Sequence, residues 1–270
     1  MILEVKNLNV FTKKKENILK NINFSLKENM CLGILGESGS GKSMICKAIA
    51  GLLPDNCKYN GEIFFENTEI LNLKDKKKRD LRGSQICMVI QNPMTAFNPL
   101  FTIENQMLET IFAHKKITKN EALDLITSSF EKMNLKDIDK ILKKYPQQLS
   151  GGMLQRIMIA LTISLNPKII IADEPTTAID VINQVEILKE LKKIREEFKT
   201  TMIFISHDLS ILNSICDEII VVSQGEIIEH NLTNNIINNP QNEITKTLID
   251  TRFKLINRFK KIVGDINDYC

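Results

Sequence analysis

Cysteine pairs at metal-binding or redox spacing are missing from this chain. Its six cysteines, at positions 31, 46, 57, 87, 216 and 270, show no C-x-x-C spacing, which argues against a zinc site or a disulfide framework and fits a reducing compartment. Cys31, Cys46 and Cys87 fall inside apolar stretches, where the thiol acts as a small buried hydrophobe. Also lacking is any apolar run long enough to span a bilayer, so a membrane role would be borrowed from a partner. The N-terminus, Met1 to Lys6, alternates apolar and charged residues and has no signal-peptide core. Neither sign of charge is in excess: 36 Lys and Arg stand against 33 Asp and Glu, a net charge of +3, too little to argue for a nucleic-acid surface. A cytosolic protein of mixed surface charge is expected. At 270 residues and 43% hydrophobic, the chain can form one large α/β domain, or a core with a helical insertion and a short tail.

What is present centres on residues 30–53. Met30 to Leu35 is a short apolar run, as in a buried parallel strand. Gly36-Glu37-Ser38-Gly39-Ser40-Gly41-Lys42-Ser43 follows, and then Met44, Ile45, Ala48, Ile49 and Leu52 recur at helical spacing until Gly51 and Pro54 stop the helix. The octapeptide is thus a turn between strand and helix, the setting that separates a phosphate-binding loop from a chance match. Its glycines let backbone N–H groups curl around an anion, and the helix N-terminus adds partial positive charge. Lys42 would neutralise the β- and γ-phosphates and the Ser43 hydroxyl would sit on Mg²⁺. The plain alternative is a glycine-rich turn with a surface lysine, which the flanking strand and helix argue against.

The remaining stretches fall around this one. Residues 2–10 alternate as a half-exposed strand, consistent with an antiparallel edge, and Ile18 to Leu26 forms another. Phe11 is open to two readings, stacking on an adenine ring or packing in the core. Asn60-Gly61 signals a tight turn before a strand at Glu62 to Phe65. The basic run from Lys74 to Asp80 reads as solvated surface. Ile86 to Ile90 is a second continuous apolar strand, and Gln91 just past its end is a candidate Mg²⁺ or water contact.

From Phe101 to Leu165 the pattern turns helical. Ile103, Met107, Leu108, Ile111 and Phe112 form one apolar stripe, and Thr118 with Glu121 forms a capping box for the next helix. This block, about 100–165, reads as a helical subdomain inserted into the α/β core. Ser150-Gly151-Gly152 opens its last helix with a capping hydroxyl and bare backbone N–H groups, a second anion site. Ile169 to Glu174 is an apolar strand delivering two adjacent carboxylates to its end. Asp173 suits Mg²⁺, while Glu174, on the other side of the strand's end, can polarise an attacking water. Val181, Val185, Leu188, Leu191 and Phe198 mark a further amphipathic helix, and the strand Thr201 to Ile205 brings His207 to the same sheet edge as Gln91, Asp173 and Glu174, where it can hold the γ-phosphate and water in line. Glu218 to Glu229 reads as a hairpin turning at Gln224-Gly225. Ile244, Leu248, Leu255, Ile256 and Phe259 suggest C-terminal helix, packed on the core or touching a partner.

Taken in order over residues 1–245, these motifs resemble the ATP-binding subunit of an ABC transporter. Gly36 to Ser43 matches the Walker A loop, Gln91 the Q-loop, Leu149 to Gln155 the signature motif, Ile169 to Glu174 the Walker B strand and His207 the switch histidine. Asp180 matches the D-loop aspartate, and Phe11 falls at the adenine-stacking aromatic. Met153 replaces the commonest glutamine of the signature and Ile179 the usual D-loop leucine. With Gln91 to Pro99, the Met153 signature looks like the nickel and metallophore branch of the peptide/nickel importers. The C-terminal cysteine cluster common in peptide-importing relatives is absent, Cys270 being the one cysteine after Cys216.

The resemblance implies a phosphate-loop NTPase core with a mixed sheet, an N-terminal antiparallel β subdomain, the helical insertion and a helical tail at 246–270. It also implies ATP and Mg²⁺ as ligands. Glu174, His207 and Gln91 would be catalytic, and Ser43, Gln91 and Asp173 would serve the metal. Phe11, residues 36–43, Ser150, Gly151, Gly152 and Asp180 would contact the nucleotide. In such a family two ATPase subunits close head to tail, each offering Walker A to the other's signature. The implied partners are a second ATPase chain, itself or a paralogue, two transmembrane permease subunits and an extracytoplasmic solute-binding protein, with the chain peripheral at the cytoplasmic membrane face and never touching the cargo. The rival activity, a soluble ABC ATPase of DNA repair or translation, would require fused domains, long coiled coils or zinc-binding cysteines, which the chain lacks.

Overall fold

The computed structural model describes residues 1–176 and 181–251. Asp180, most of the expected tail, and Leu255, Ile256 and Phe259 lie outside them. The chain opens with strands β1 (Leu3–Thr12), β2 (Asn17–Leu26) and β3 (Cys31–Gly36), then helix α1 (Lys42–Ile49), β4 (Cys57–Phe65), β5 (Thr68–Glu69), α2 (Asp75–Leu81) and β6 (Ile86–Val89). Four helices follow: α3 (Ile103–His114), α4 (Lys119–Lys132), α5 (Ile138–Leu142) and α6 (Gly151–Leu165). Next come β7 (Ile169–Asp173), α7 (Val181–Phe198), β8 (Thr201–Ile205), α8 (Leu209–Ile215), the hairpin β9 (Glu218–Ser223) and β10 (Glu226–Leu232), and α9 (Thr233–Asn238). Residues 243–251 are helical.

The strands form two sheets, an antiparallel one ordered β2-β1-β4-β5 and a mixed one ordered β10-β9-β3-β8-β7-β6. In the mixed sheet only β10 runs antiparallel to its neighbour. Its central strands are apolar on both faces and divide the interior in two. Leu32, Ile34, Ile171, Ile203, Ile205, Ile220 and Val222 pack with α1 and the antiparallel sheet. The alternate residues Cys31, Leu35, Ile170, Ala172, Met202, Phe204 and Val221 pack with the helices. Side chains of successive strand residues point to opposite faces, so a strand apolar at every position must be covered on both.

The structure changes several expectations. β1 is interior, bonded to β2 on one side and β4 on the other. Alternation of polar and apolar residues reports which face is covered, not which edges are paired, so it did not distinguish an edge from a central strand. Asn60-Gly61 is no turn but lies within β4, where Asn7 and Leu8 of β1 face Gly61 across a register shift. Gly61 has φ of 104° there, and a Cβ on it would stand 2.5 Å from the Asn7 carbonyl oxygen and 2.7 Å from the Leu8 Cα. A bulge and a tight turn use the same residue types, both needing positive φ. Phe112 and Val185 are exposed, and the buried face of α7 is instead Ile187, Leu191 and Ile194.

Helices α3 to α6 occupy the stretch read as helical, with Phe112 of its first stripe turned to solvent. Thr118 and Glu121 make the reciprocal capping box of α4, whose Ile126 and Phe130 are fully buried, and α2 buries none of its residues. Replacing Gly61 by alanine forces a Cβ onto the backbone of β1 at positive φ. We expect Gly61→Ala to lower unfolding free energy by about 1–3 kcal/mol, seen as a lower urea midpoint at unchanged slope. An unchanged midpoint would show that the bulge relaxes freely.

Candidate active site at the C-terminal edge of the mixed sheet

Parallel strands deliver their C-terminal ends to one edge, where α/β sheets place ligands. β3 ends there in the glycine-rich loop, β6 leads to Gln91, β7 ends at Asp173 and β8 leads to His207. The register places Asp173 opposite Ile205, and Ile34 opposite the same Ile205.

Within the loop Gly36, Gly39 and Gly41 all have positive φ, 159°, 81° and 108°. A Cβ on Gly36 would lie 2.2 Å from the Val222 carbonyl oxygen, whereas one on Gly39 would meet nothing within 4 Å. Gly36 is therefore needed for close packing, and Gly39 for its turn. The first bonds of α1 run from Met44 and Ile45 to the Gly41 carbonyl, so the helix's opening amides face the loop. Lys42, almost fully buried, donates to the carbonyls of Gly36 (3.0 Å) and Glu37 (2.7 Å). The Ser40 hydroxyl is buried and has no hydrogen-bond partner among the described residues.

Beside the loop, Ser43 Oγ donates to Asp173 Oδ1 at 3.0 Å. Burial pushes the Asp173 carboxyl above its ordinary range; Ser43, Lys47 and Lys42 pull the other way, and neighbouring Glu174 adds to the rise. Cys46 lies in the same region, its thiol pushed well up by burial and then by Asp173. A buried hydroxyl without a partner and a carboxylate left short of charge compensation fit a triphosphate with a divalent cation. The cation is Mg²⁺ in phosphate-loop NTPases.

Glu174 lies just beyond β7 and adopts φ of 46°, while its N–H donates to the Ile205 carbonyl at 3.1 Å. The strand thus ends one residue earlier than expected. The Glu174 carboxylate lies between two other groups: Gln91 Nε2 donates to Glu174 Oε2 at 3.2 Å, and His207 Nδ1 stands 3.5 Å from Glu174 Oε1. The site thus has two compartments, Ser43 with Asp173 and Glu174 between Gln91 and His207. Phe11, part-buried near the end of β1, is paired with Asn17 and Lys58 and joins neither core.

Ser150, Gly151 and Gly152 stand elsewhere, at the start of α6. Ser150 Oγ accepts from the Met153 N–H at 3.2 Å, and the space a Gly151 Cβ would fill is open. No described hydrogen bond joins these residues to the loop 36–43. One turn on, Arg156 pairs with Glu186 and lies 3.5 Å from the Glu190 carboxylate, tying α6 to α7. Sequence reading gave no role to this ion pair, and it read Gly225 as a hairpin turn alone, whereas its N–H also donates to the Ser40 carbonyl at 3.0 Å.

The sequence model described as "ABC transporter" matches residues 19–177. The chain belongs to the ABC transporter family. This ABC ATPase is 42% identical over 269 residues to the metal-staphylopine import system ATP-binding protein CntD of Staphylococcus aureus, covering 99% of each chain. It is 38% identical over 243 residues to the oligopeptide transport ATP-binding protein OppD of Salmonella typhimurium, covering 89% of this chain and 72% of the relative. Its fold matches the dimeric post-hydrolysis state of the ATP-binding cassette MJ0796 bound to ADP and Pi, with a TM-score of 0.76 at 29% identity over 86% of this chain and 98% of that one. The ABC ATPase fold is thus the one expected, with its antiparallel sheet, mixed sheet and helical insertion, and the protein binds ATP and couples its hydrolysis to transport.

The raised Asp173 carboxyl gives a signed expectation. The folded chain holds this proton more tightly than the unfolded chain, so the group destabilises the nucleotide-free protein above its folded pKa, and the penalty fades as pH falls into the ordinary carboxylate range. Asp173→Asn should raise the thermal midpoint of the nucleotide-free protein at neutral pH, with the gain shrinking on acidification. Melting curves of both proteins between pH 4 and pH 8 test this; a variant less stable at neutral pH contradicts it.

Proposed function

We propose that the chain is the energy-supplying subunit of a bacterial importer for nickel or a metal–metallophore complex. The observation that carries this is 42% identity spanning 99% of a metal-staphylopine import ATPase, joined to the Met153 signature. A dipeptide or oligopeptide cargo is the second reading, favoured by 38–39% identity to OppD and to the dipeptide transport ATPase DppD of Bacillus subtilis. We place the protein at the cytoplasmic membrane face with a second ATPase chain, two permease subunits and an extracytoplasmic binding protein, without nucleic acid and without contact to cargo. Among the described residues no helix is long and apolar enough to cross a membrane, in keeping with permease partners.

The geometry supports a division of labour. Lys42, the loop amides and Ser40 hold the phosphates, while Ser43 and Asp173 hold Mg²⁺. When bound, that ion neutralises charge on the phosphate oxygens. Glu174 orients the attacking water and takes its proton, with His207 and Gln91 fixing the carboxylate from either side. Phe11 offers its ring to the adenine. Ser150, Gly151 and Gly152 serve a nucleotide held by the facing subunit, since among the described residues no hydrogen bond joins them to the loop; Asp180 is assigned to the same interface.

Three measurements test these assignments. Glu174→Gln should keep ATP binding while turnover drops by roughly 100- to 10,000-fold, and Lys42→Ala should weaken binding itself. Turnover at the wild-type rate in Glu174→Gln would remove the role given to that carboxylate. With cysteines at Ser40 and Ser150, a non-hydrolysable ATP analogue should promote crosslinks between chains; crosslinks that never join two chains refute the composite site. Cells without the gene should lose uptake of radiolabelled nickel or chelated metal, and intact metal uptake with lost dipeptide uptake would reverse the cargo ranking.

A further inference from the structure

Gly36 and Gly41 of the phosphate loop interlock with Gly225, which is remote from them in sequence. β9 runs parallel to β3 with Gly36 opposite Val222, so the hairpin turn after β9 emerges at the same edge as the loop. At that turn the Gly225 N–H donates to the Ser40 carbonyl at 3.0 Å, and the Gly225 carbonyl accepts from the Lys20 N–H at 2.7 Å. Gly225 has φ of 80°, and a Cβ on it would lie 2.3 Å from the Ile18 carbonyl oxygen. Gly41 completes the contact: a Cβ there would lie 2.7 Å from Leu19 Cδ2 and 3.7 Å from the Gly225 Cα. Next to the turn, Lys20 Nζ lies 3.2 Å from Glu226.

We propose that Gly225 is a positioning residue for nucleotide binding, a strut from the C-terminal hairpin that holds the loop around Ser40 in its phosphate-receiving shape against β2. The strut is made of backbone on all sides, at Ser40, at Lys20 and at Ile18, so no side chain can swing aside to admit a Cβ. A larger residue at 225 must move the turn, and the loop attached to it, relative to β2. The shape of the loop decides whether its amides converge on an anion, so the displacement should be felt as lost affinity. This inference rests on residues 36–43 being the nucleotide loop.

The test is equilibrium binding of fluorescent mant-ATP with Mg²⁺ to the full chain, comparing wild type with Gly225→Ala, Gly61→Ala and Lys42→Ala. Gly61→Ala is the matched control, since it also forces a Cβ at positive φ against backbone but at the bulge between β1 and β4. We expect Gly225→Ala to raise the dissociation constant about tenfold or more and Gly61→Ala to leave it unchanged, although both lower the melting midpoint. Wild-type affinity in Gly225→Ala, or equal loss in both glycine variants, overturns the proposal. Wild-type affinity in Lys42→Ala would instead remove the loop assignment, a separate failure. Should Gly225→Ala fail to fold, hydrogen exchange of the wild type decides: mant-ATP should slow exchange in the segment 220–230, and unaltered exchange there counts against the strut.

Discussion

Parallel pairing of β3 with β8 on one side and β9 on the other is the constraint from which the site follows. A strand flanked on both edges and covered on both faces cannot slide, because a one-residue slip would exchange its two sets of side chains between different cores. Leu32 and Ile34 belong to one core, Cys31 and Leu35 to the other. With β3 fixed, the loop after it, the carboxylates at the end of β7 and the histidine after β8 are fixed relative to one another. Chemistry that needs atoms placed within a fraction of an ångström is thereby built on a strand buried at every residue.

The two carboxylates at the end of β7 show how one strand end serves two purposes. Asp173 is the last residue in extended conformation and turns toward Ser43, while Glu174 enters the left-handed region and faces Gln91 and His207. A positive φ at a non-glycine residue costs about 1–3 kcal/mol at such sites, and the N–H bond from Glu174 to Ile205 helps to hold it. The change of backbone direction parts two carboxylates that are adjacent in sequence, leaving Asp173 beside Ser43 and Glu174 beside Gln91 and His207.

Much of this was legible in the residues alone. Continuous apolar runs ending in Gly36, Gln91, Asp173 and His207 announce parallel strands and the groups at their ends, because only a doubly covered strand is apolar throughout. The capping box at Thr118 and Glu121 was equally plain, since both bonds are local. What stayed hidden was nonlocal. The β1 pattern tells which face is buried but not that β4 would take its second edge. Asn60-Gly61 specifies positive φ, which a bulge and a turn share. Glu218 to Glu229 read as a hairpin, but the pairing of its first strand with β3, and hence the position of Gly225, depends on sheet order. Arg156 gave no signal because its partners Glu186 and Glu190 sit on a helix thirty or more residues away.

The interlocked glycines also decide where foreign sequence can be tolerated. Surface hairpins are usually the safest places to insert an epitope or a fluorophore-bearing peptide, and the exposed β1–β2 connection at Lys13 to Lys15 fits that rule. The β9–β10 connection is shorter, and its Gly225 is buried with its backbone bonded to the glycine-rich loop at Ser40 and to β2 at Lys20. A reporter grafted there would be expected to silence the protein it was meant to label.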